Sequence, residues 1–246
     1  DKTSALGIYR LDGDSGIERG ALPTAATGIH IYEASEISRV HRRVHMDYIA
    51  LRRTDARGKY CGETRMLGLF TSTVYYREIE QIPFIRNKAA RLMKRSGFSA
   101  GSHSAKALKT VLEFLPREEL FQMEEDALFA MAMRIVALDA KPQVRLFVRL
   151  DPFERFVSAL VYVPREQLST ELREEIMRVL AKAYAGTCVN FNVQVTESPL
   201  ARVMIEIVTT PGEIPDMSVA KLEQQIADLA NIWSVALHDA IIDEFG

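Results

Sequence analysis

The segment from residue 145 to residue 165 constrains the fold of this chain more than any other. Two runs rich in β-branched and aromatic residues, Arg145 to Leu150 and Arg155 to Val163, flank a short segment that begins with Asp151-Pro152. An Asp-Pro start presets a bend, so this pattern predicts a β-hairpin. The two strands begin an antiparallel sheet, and the segments after them decide what kind of sheet it is.

Two helices and two further strands follow the hairpin. The first helix begins at Ser169-Thr170, carries glutamates near the positive end of its dipole and repeats apolar residues at helical spacing. Strands from Thr187 to Thr196 and from Ala201 to Thr209 come next, and Ser218 is suited to cap the last helix. The apolar stripe of that helix includes Trp233, the only tryptophan, which we expect to be buried against the sheet.

The order of these elements predicts the topology of the C-terminal part. From the strand at Arg155 to Val163 onward the order is βαββα, which is the ferredoxin-like plan without its last strand. The preceding strand, Val144 to Leu150, is antiparallel to its hairpin mate and can fill the empty place. We therefore expect residues 142–246 to form a four-stranded antiparallel sheet with two helices on one face.

The first third of the chain has the pattern of a sheet. Strand character marks Gly28 to Glu33, His45 to Arg53 and Tyr60 to Thr71, and the segment from Thr54 to Gly58 has the composition of a turn between the last two. Residues 1–27 are less informative and predict a strand with a long loop. We assign residues 1–80 to an antiparallel β region.

Three helices are predicted within residues 81–141. The first follows Pro83 and ends at Gly97, the second follows a cap at Ser102 and stops at Pro116, and the third runs from about Glu124 to Leu138. Lys141-Pro142 then marks a domain boundary. The predicted fold class is α+β: an N-terminal antiparallel sheet, a helical segment, and a ferredoxin-like C-terminal sheet with two helices.

Composition limits the classes of function. The 246 residues, 48% of them hydrophobic, suffice for one large domain or two ordinary ones, and a net charge of −2 offers no global attraction to nucleic acid or an anionic membrane. Cys61 and Cys188 lie far apart, no apolar run approaches a membrane span, and no signal peptide is evident. We expect a cytoplasmic protein, and the start at Asp1 suggests a piece of a longer chain.

The motifs of several enzyme classes are missing from the sequence. There is no GxGxxG after a strand and no Walker loop, so no phosphate-cradling turn of a dinucleotide or nucleotide site is predicted. His41 and His45 have a helical metal-ligand spacing but stand at the entry to a predicted strand without an acidic partner. No nucleophile motif is present either. We therefore expect no catalytic residue, no metal site and no cofactor bound within this chain.

One local pattern is compatible with ligand binding. Ser102, His103, Ser104 and Lys106 lie in the first turn of a predicted helix, where free amides, hydroxyls and an ammonium could hold a phosphate or carboxylate. Helix capping by Ser102 explains most of the same pattern. Arg145 and Arg149 share one face of a predicted strand and are further candidates for a ligand, although a solvated sheet edge is the favoured account of them. Both alternatives stay open at each place.

Several longer stretches resemble the N-terminal regulatory region of the very large bacterial NAD-specific glutamate dehydrogenases. The resemblance extends from about Gly28 to the C-terminus, with Ala159 where the family often has Cys and Glu166 where Asp is common. The stretches that carry it are Val44-His45-Met46-Asp47-Tyr48-Ile49, Gly62-Glu63-Thr64-Arg65-Met66-Leu67-Gly68-Leu69-Phe70-Thr71-Ser72, Gly97-Phe98-Ser99 with Gly101-Ser102-His103, Pro116-Arg117-Glu118-Glu119-Leu120-Phe121-Gln122, and the hairpin ending Val161-Tyr162-Val163-Pro164-Arg165.

The resemblance implies a parent enzyme that oxidatively deaminates L-glutamate to 2-oxoglutarate and ammonia with NAD. It implies an ACT-like module in the C-terminal half and a PAS-like module in the N-terminal sheet. The family's catalytic Lys, Asp and Rossmann loop match nothing here, so the fragment itself is expected to be inactive. ACT-like modules often bind amino acids at paired interfaces, so an amino-acid effector, homo-oligomerisation and the remaining domains of the parent enzyme are the expected partners.

Two other classes of protein stay open at this point. A free-standing sensor of amino acids or small anions would need a concave pocket within this chain. A nucleic-acid binder could stack bases on a ferredoxin-like sheet, but no RNP-type run is present and the aromatic residues of the hairpin alternate toward the expected core. We therefore expect no nucleic-acid partner and no membrane partner.

Overall fold

The computed structural model describes residues 28–40, 45–195 and 198–231. The chain divides into two compact units, residues 1–132 and residues 133–246, and each is described by itself. The predicted boundary at Lys141-Pro142 lies further along the chain, and the three domain ranges stay a prediction. The strand and loop expected in residues 1–27, His41 and the helical position of Trp233 all lie outside the described residues.

The first unit begins with a three-stranded antiparallel sheet. Its strands are β1 (Ile29–Ile37), β2 (His45–Thr54) and β3 (Tyr60–Gly68), in the order β1-β2-β3. The turn between β2 and β3 is closed by Asp55, whose carboxylate accepts hydrogen bonds from the backbone N–H groups of Arg57 and Lys59, both at 2.9 Å. The predicted hairpin is confirmed.

Strand β3 is shorter than the sequence pattern predicts. It ends at Gly68 instead of Thr71, because the Phe70 N–H donates to the carboxylate of Asp47 at 2.6 Å. A side chain of β2 thus accepts the bond that a longer strand would have placed in the ladder. The expectation of a strand to Thr71 is wrong for this reason.

Five α-helices follow the sheet within the described residues. They are α1 (Thr73–Tyr76), α2 (Ile85–Arg95), α3 (His103–Phe114), α4 (Arg117–Gln122) and α5 (Glu125–Val136). Two predicted boundaries are confirmed by their local chemistry. Gly97 adopts φ 67° after the end of α2, and the Ser102 hydroxyl accepts a hydrogen bond from the Ala105 N–H at the start of α3.

Helix α4 was not predicted, although the sequence carries a signal for it. Pro116 stops α3, but its carbonyl also accepts the Leu120 N–H and so begins the next helix. Two glutamates, Glu118 and Glu119, stand in the first turn of α4, where their charge complements the helix dipole. Proline is typical of a helix start as well as of a helix end, so Pro116 by itself predicts either event.

The second unit has the predicted ferredoxin-like topology. Its strands are β4 (Arg145–Leu150), β5 (Phe156–Pro164), β6 (Thr187–Val195) and β7 (Leu200–Val208), all antiparallel, in the order β4-β5-β7-β6. Strand β4 occupies the place beside β5 that the βαββα order leaves empty, as expected. Helix α6 (Thr170–Ala183) lies between β5 and β6 in sequence, and helix α7 covers residues 219–231.

One face of this sheet forms the core with the two helices. Alternate residues of β5 and β7 point into it, since the period of a strand is two. Side chains of α6 and α7 at helical spacing complete it. The fully buried members are Leu146, Val157, Ala159, Val161, Val163, Leu172, Ile176, Leu180, Val203, Ile205, Ile207 and Ile226. Two helices on a four-stranded sheet are therefore confirmed.

Candidate functional site

One carboxylate bonds to the edge of the C-terminal sheet at β4. Glu223, on α7, accepts a hydrogen bond from the backbone N–H of Leu146 at 2.8 Å. The same carboxylate accepts from the guanidinium of Arg145 at 2.7 Å and from that of Arg134 at 3.4 Å. A backbone N–H on the outer side of β4 thus donates to a side-chain carboxylate, and the two arginines balance the charge of that carboxylate.

Arg145 therefore has a structural task. Its pairing with Glu223 fastens α7 to the edge strand, although the two residues are 78 positions apart in sequence. Arg149, predicted with it as a ligand residue, lies on the same sheet face, since these two residues pair with Tyr162 and Ser158 of β5. Its guanidinium lies 5.7 Å from the centre of the Phe156 ring. The shared face is confirmed, and ligand binding by either residue stays a prediction.

The opposite edge of the sheet, strand β6, pairs with no further strand among residues 28–40, 45–195 and 198–231. Its apolar side chains are exposed to an unusual extent for a strand: Val189 56%, Phe191 42%, Val193 36% and Val195 55%. The guanidinium of Arg173 on α6 lies 4.5 Å from the centre of the Phe191 ring and covers part of it. The two edges of this sheet thus differ: β4 bonds to a charged side chain, whereas β6 exposes apolar side chains.

The loop between β4 and β5 is held by a buried ion pair. The Asp151 side chain is 1% exposed, and its two oxygens accept from Nε of Arg155 at 2.7 Å and from Nη2 at 2.8 Å. It also accepts the backbone N–H groups of Phe153 and Arg155 at 3.1 and 3.2 Å. Glu154, at φ 58°, completes the turn. The charged residues of this loop therefore build the hairpin.

Loop 151–155 is also bonded to the segment that follows β7. The Thr209 hydroxyl donates to the Glu154 carbonyl at 2.7 Å, and the Thr209 N–H donates to the Arg155 carbonyl at 2.8 Å. The Gly212 N–H donates to the Glu154 carboxylate at 2.7 Å. The loop is consequently a rigid part of the domain.

The face of the sheet opposite α6 and α7 carries a partly buried polar pair. Burial raises the pKa of Tyr162, while the charge of Arg202 and its hydrogen bond to the tyrosine act the other way. Burial likewise lowers the pKa of Arg202. The Arg202 guanidinium also donates to the Gln194 side chain, so this pair links β5 and β7 with β6.

The predicted anion site lies at the surface. Ser102 acts as the cap of α3, while His103, Ser104 and Lys106 are exposed. The Ser102 hydroxyl oxygen accepts the capping hydrogen bond, and the other three side chains are accessible to solvent. The capping interpretation is confirmed, and anion binding at this turn stays a prediction.

A small cleft lies between α4 and the N-terminal sheet. Its walls include Asp47, Arg117 and Gln122, and the space that it encloses is about the size of one water molecule. Arg117 moreover donates to the backbone carbonyls of Glu113 at 3.1 Å and Arg77 at 3.0 Å. The cleft is small, and its main cation holds helices together.

Lys88 is the most deeply buried amine of the first unit's described part. Its ammonium donates to the backbone carbonyls of Leu120 and Met123 at 2.8 Å and of Phe121 at 3.3 Å. Burial lowers its pKa to about 8, while Glu124 and Glu125 raise it. The three acceptors are carbonyls at the end of α4, where a cation also complements the helix dipole. Lys88 therefore fastens α2 to α4.

The described ranges contain neither a metal-binding cluster nor a helix that could span a membrane. Residues 28–40, 45–195 and 198–231 contain no group of three or more His, Cys, Asp or Glu side chains arranged to hold a metal ion. Among the same residues no helix combines the length and apolar character that crossing a bilayer needs. His45 instead uses Nδ1 in a contact of 2.9 Å with the Ala34 carbonyl.

Two family models match this chain. Residues 82–141 match the helical motif 1 of glutamate dehydrogenase, and residues 145–234 match the ACT2 domain of glutamate dehydrogenase. The second match covers the sheet and both helices of the ferredoxin-like unit. Fold and matches together define an ACT-type domain preceded by a helical motif.

Proteins with similar sequences point to the same family. The chain is 39% identical over 214 residues to the NAD-specific glutamate dehydrogenase of Pseudomonas aeruginosa, a match over 87% of this chain and 13% of that protein. It is 36% identical over 255 residues to that of Halomonas elongata, covering 100% of this chain and 16% of the relative. The enzyme of Mycobacterium tuberculosis is 32% identical over 158 residues, which is 64% of this chain and 9% of that protein.

The chain belongs to the family of the NAD-specific glutamate dehydrogenases and corresponds to an N-terminal region of them. It spans less than a fifth of the length of the relatives named above. The resemblance found in the sequence is confirmed.

Sequence reasoning missed three features of the site. It did not single out Glu223, Lys88 or the apolar edge at β6. Nothing local marks the first two, because their partners are distant in sequence. The third had a signal, since residues 187–195 contain no charged residue and no proline, the usual protections of an edge strand.

Proposed function

We propose that this chain is a non-catalytic regulatory or assembly segment of an NAD-dependent glutamate dehydrogenase. The parent reaction is the oxidative deamination of L-glutamate to 2-oxoglutarate and ammonia. NAD binds elsewhere in the parent enzyme, since the sequence of this chain has no GxGxxG turn. The match to an ACT2 domain and to three dehydrogenases of much greater length supports the proposal.

The observation that carries this proposal is that charged side chains of the ACT-type domain bind one another and hold its structure together. Arg145 and Glu223 join β4 to α7, and Asp151 and Arg155 close the hairpin loop between β4 and β5. Catalytic groups need access to a substrate, whereas these side chains are engaged with one another. What the domain offers outward is the apolar edge of β6. A surface of that kind serves contacts between protein segments.

The partners follow from this role. They are the remaining domains of the parent enzyme, further copies of the chain in a homo-oligomer, and an amino acid as the effector. The setting is cytoplasmic. The sheet β1-β2-β3 with α4 packed on β1 acts as a PAS-like module that precedes the ACT-type domain in the sequence.

An NADH absorbance assay tests the absence of catalysis. Purified chain is mixed with L-glutamate and NAD, and the full-length Pseudomonas aeruginosa enzyme at equal molar concentration serves as the positive control. We expect turnover for the control and no rate above the blank for the chain. A rate that scales with the concentration of the chain would contradict the proposal.

Isothermal titration tests the effector. The chain is titrated with glutamate, other amino acids and nucleotides in turn. Saturable heat with one amino acid supports the regulatory role. Saturable heat with nucleotides and none with amino acids would favour a sensor of small anions, the alternative function, in which the exposed first turn of α3 takes the ligand.

A further inference from the structure

Two buried polar atoms belong to the walls of the cleft between α4 and the N-terminal sheet. Arg117 is 9% exposed, and its Nε–H has no hydrogen-bond partner among the residues that the structure describes. The Oε1 atom of Gln122 is also buried and lacks a partner within the same ranges. Both residues line the cleft, which encloses a space about the size of one water molecule. An unsatisfied donor and an unsatisfied acceptor thus border one small space.

The other nitrogens of Arg117 fix the direction of its Nε–H group. Nη1 donates to the Glu113 carbonyl at 3.1 Å, and Nη2 donates to the Arg77 carbonyl at 3.0 Å. The guanidinium is planar, so these two bonds prevent Nε–H from turning toward another acceptor. The Glu113 carboxylate, 3.5 Å from Nη2, is itself held by the Ile79 N–H. An acceptor for Nε–H must therefore come to the place where the guanidinium holds it.

Aromatic packing keeps the cleft from closing. The rings of Phe70 and Phe121, which both line it, stack with their centres 4.7 Å apart and their planes at 15°. Phe70 is held in turn by Asp47, whose carboxylate accepts the Phe70 N–H at 2.6 Å. These contacts set the distance between α4 and the sheet. The polar side chains of the cleft therefore cannot satisfy one another by a collapse of the walls.

Three of the stretches that carry the family resemblance supply walls of this cleft. Asp47 comes from the stretch that precedes the turn of the N-terminal hairpin, and Phe70 comes from the stretch that follows this turn. Arg117, Phe121 and Gln122 come from a third stretch, which forms α4. Folding thus brings separate parts of the resemblance to one place, and that place contains the two unsatisfied polar atoms.

The chemistry of the walls selects a neutral occupant that both accepts and donates. The carboxylates of Asp47 and Glu118 repel an anion, and the guanidinium of Arg117 repels a cation. The Nε–H needs an acceptor and the Gln122 Oε1 needs a donor, and a water molecule supplies both from one oxygen atom. A buried water typically makes about three hydrogen bonds, and the Asp47 carboxylate is a third group of the walls that can accept one.

We propose that the cleft binds one water molecule, which accepts from the Arg117 Nε–H and donates to the Gln122 Oε1. Through Asp47 the same water joins α4 to β2, so it adds a polar contact to the apolar packing of the two. Such a bridge is nearly as favourable as a direct hydrogen bond. The site lies wholly within the first unit and does not depend on the proposed function.

Nuclear magnetic resonance detects the bound water directly. The Hε resonance of Arg117 in the isotope-labelled chain is identified by its loss in Arg117→Lys. In a rotating-frame experiment, dipolar transfer from a bound water and chemical exchange with bulk water give cross peaks of opposite sign. We expect a cross peak of the dipolar sign between the Arg117 Hε and the water frequency.

Variants of Gln122 test the second partner of the water. Gln122→Met keeps the approximate size of the side chain and removes the acceptor, so the dipolar cross peak should be lost. Gln122→Glu keeps an acceptor oxygen at the same place and should retain the cross peak. Gln81→Met alters an exposed glutamine of the same unit and is the matched control, which should also retain it. Circular dichroism establishes that each variant is folded.

Magnetic relaxation dispersion of the solvent counts long-lived waters without any assignment of resonances. The unaltered chain and Gln81→Met should bind the same number of such waters. Gln122→Met should bind one fewer, because the water in the cleft then loses the group to which it donates.

Three results overturn the bound water. The first is an Arg117 Hε that shows no cross peak with water. The second is an Hε that exchanges with bulk water, since the site is then open to solvent. The third is a cross peak and a count of waters that are unchanged in Gln122→Met. The first two are read on the unaltered chain, so they decide even if a variant does not fold. Catalysis and effector binding stand or fall separately, with the NADH assay and the titration.

Discussion

Removing the carboxylate of Asp151 should destabilise the ACT-type domain more than any surface substitution. That side chain is 1% exposed and accepts four hydrogen bonds, two of them from the Arg155 guanidinium and two from backbone N–H groups of the hairpin loop. In Asp151→Ala, Arg155, itself only 17% exposed, loses its counter-charge. The loop N–H groups lose their acceptor as well.

The magnitude follows from the burial of the pair. Breaking a buried ion pair by removing one partner costs about 3–5 kcal/mol, against a total stability of roughly 5–15 kcal/mol for a domain. Asp151→Asn keeps the volume and one acceptor oxygen, so its cost should be smaller, about 1.5–3 kcal/mol, the worth of hydrogen bonds to a charged group. Glu166→Ala removes an exposed acid and should stay within about 0.5 kcal/mol of the unaltered chain.

Urea unfolding followed by far-ultraviolet circular dichroism measures these differences. The expected order of stability is unaltered chain and Glu166→Ala together, then Asp151→Asn, then Asp151→Ala. If Asp151→Ala unfolds at the same urea concentration as Glu166→Ala, the loop does not depend on the ion pair and the reasoning is refuted.

Three other predictions concern Lys88, the start of α3 and Trp233. Burial lowers the Lys88 pKa from 10.5 to about 8, so the unfolded chain binds more protons than the folded chain between those pH values. The free energy of unfolding of the unaltered chain, relative to that of Lys88→Met, should therefore rise with pH across that window by at most about 3 kcal/mol. A difference between the two chains that does not change with pH refutes this prediction. Ser102→Ala should lower the free energy of unfolding by about 1 kcal/mol through loss of the cap. Sulfate should raise the melting temperature of the unaltered chain more than that of Lys106→Ala. Equal shifts of the two melting temperatures would refute the anion site. The fluorescence emission of Trp233 in the unaltered chain should be blue-shifted, and Trp233→Ala should lower the free energy of unfolding by roughly 3–5 kcal/mol. Unchanged stability would mean that this side chain is not part of a core.

Local chemistry explains why so much of the fold was predictable. The caps at Ser102, Gly97 and Ser169 act within one helical turn of themselves, and the structure has each of them at a helix boundary. The hairpin of β4 and β5 depends on a turn between adjacent strands. Even the place of β4 could be inferred, because the βαββα order leaves one position beside β5 empty.

Errors arose where a local signal had two meanings or a distant group intervened. Pro116 was interpreted as a stop and also begins α4. Strand β3 ends early because Asp47, far from it in sequence, captures the Phe70 N–H. Periodicity cannot show either event, since it registers only the spacing of residues within one segment.

The sequence by itself therefore determined the elements, their order and the family of this chain. Tertiary structure alone decided which charged residues are structural: Arg145 meets Glu223 across 78 positions, and Lys88 meets the carbonyls at the end of α4. It also decided that Glu223 meets the edge of the C-terminal sheet at β4, while no strand of the described residues pairs with the edge at β6. The physical reason is that backbone preferences act over a few residues, whereas burial and ion pairing depend on which distant segments the folded chain brings together.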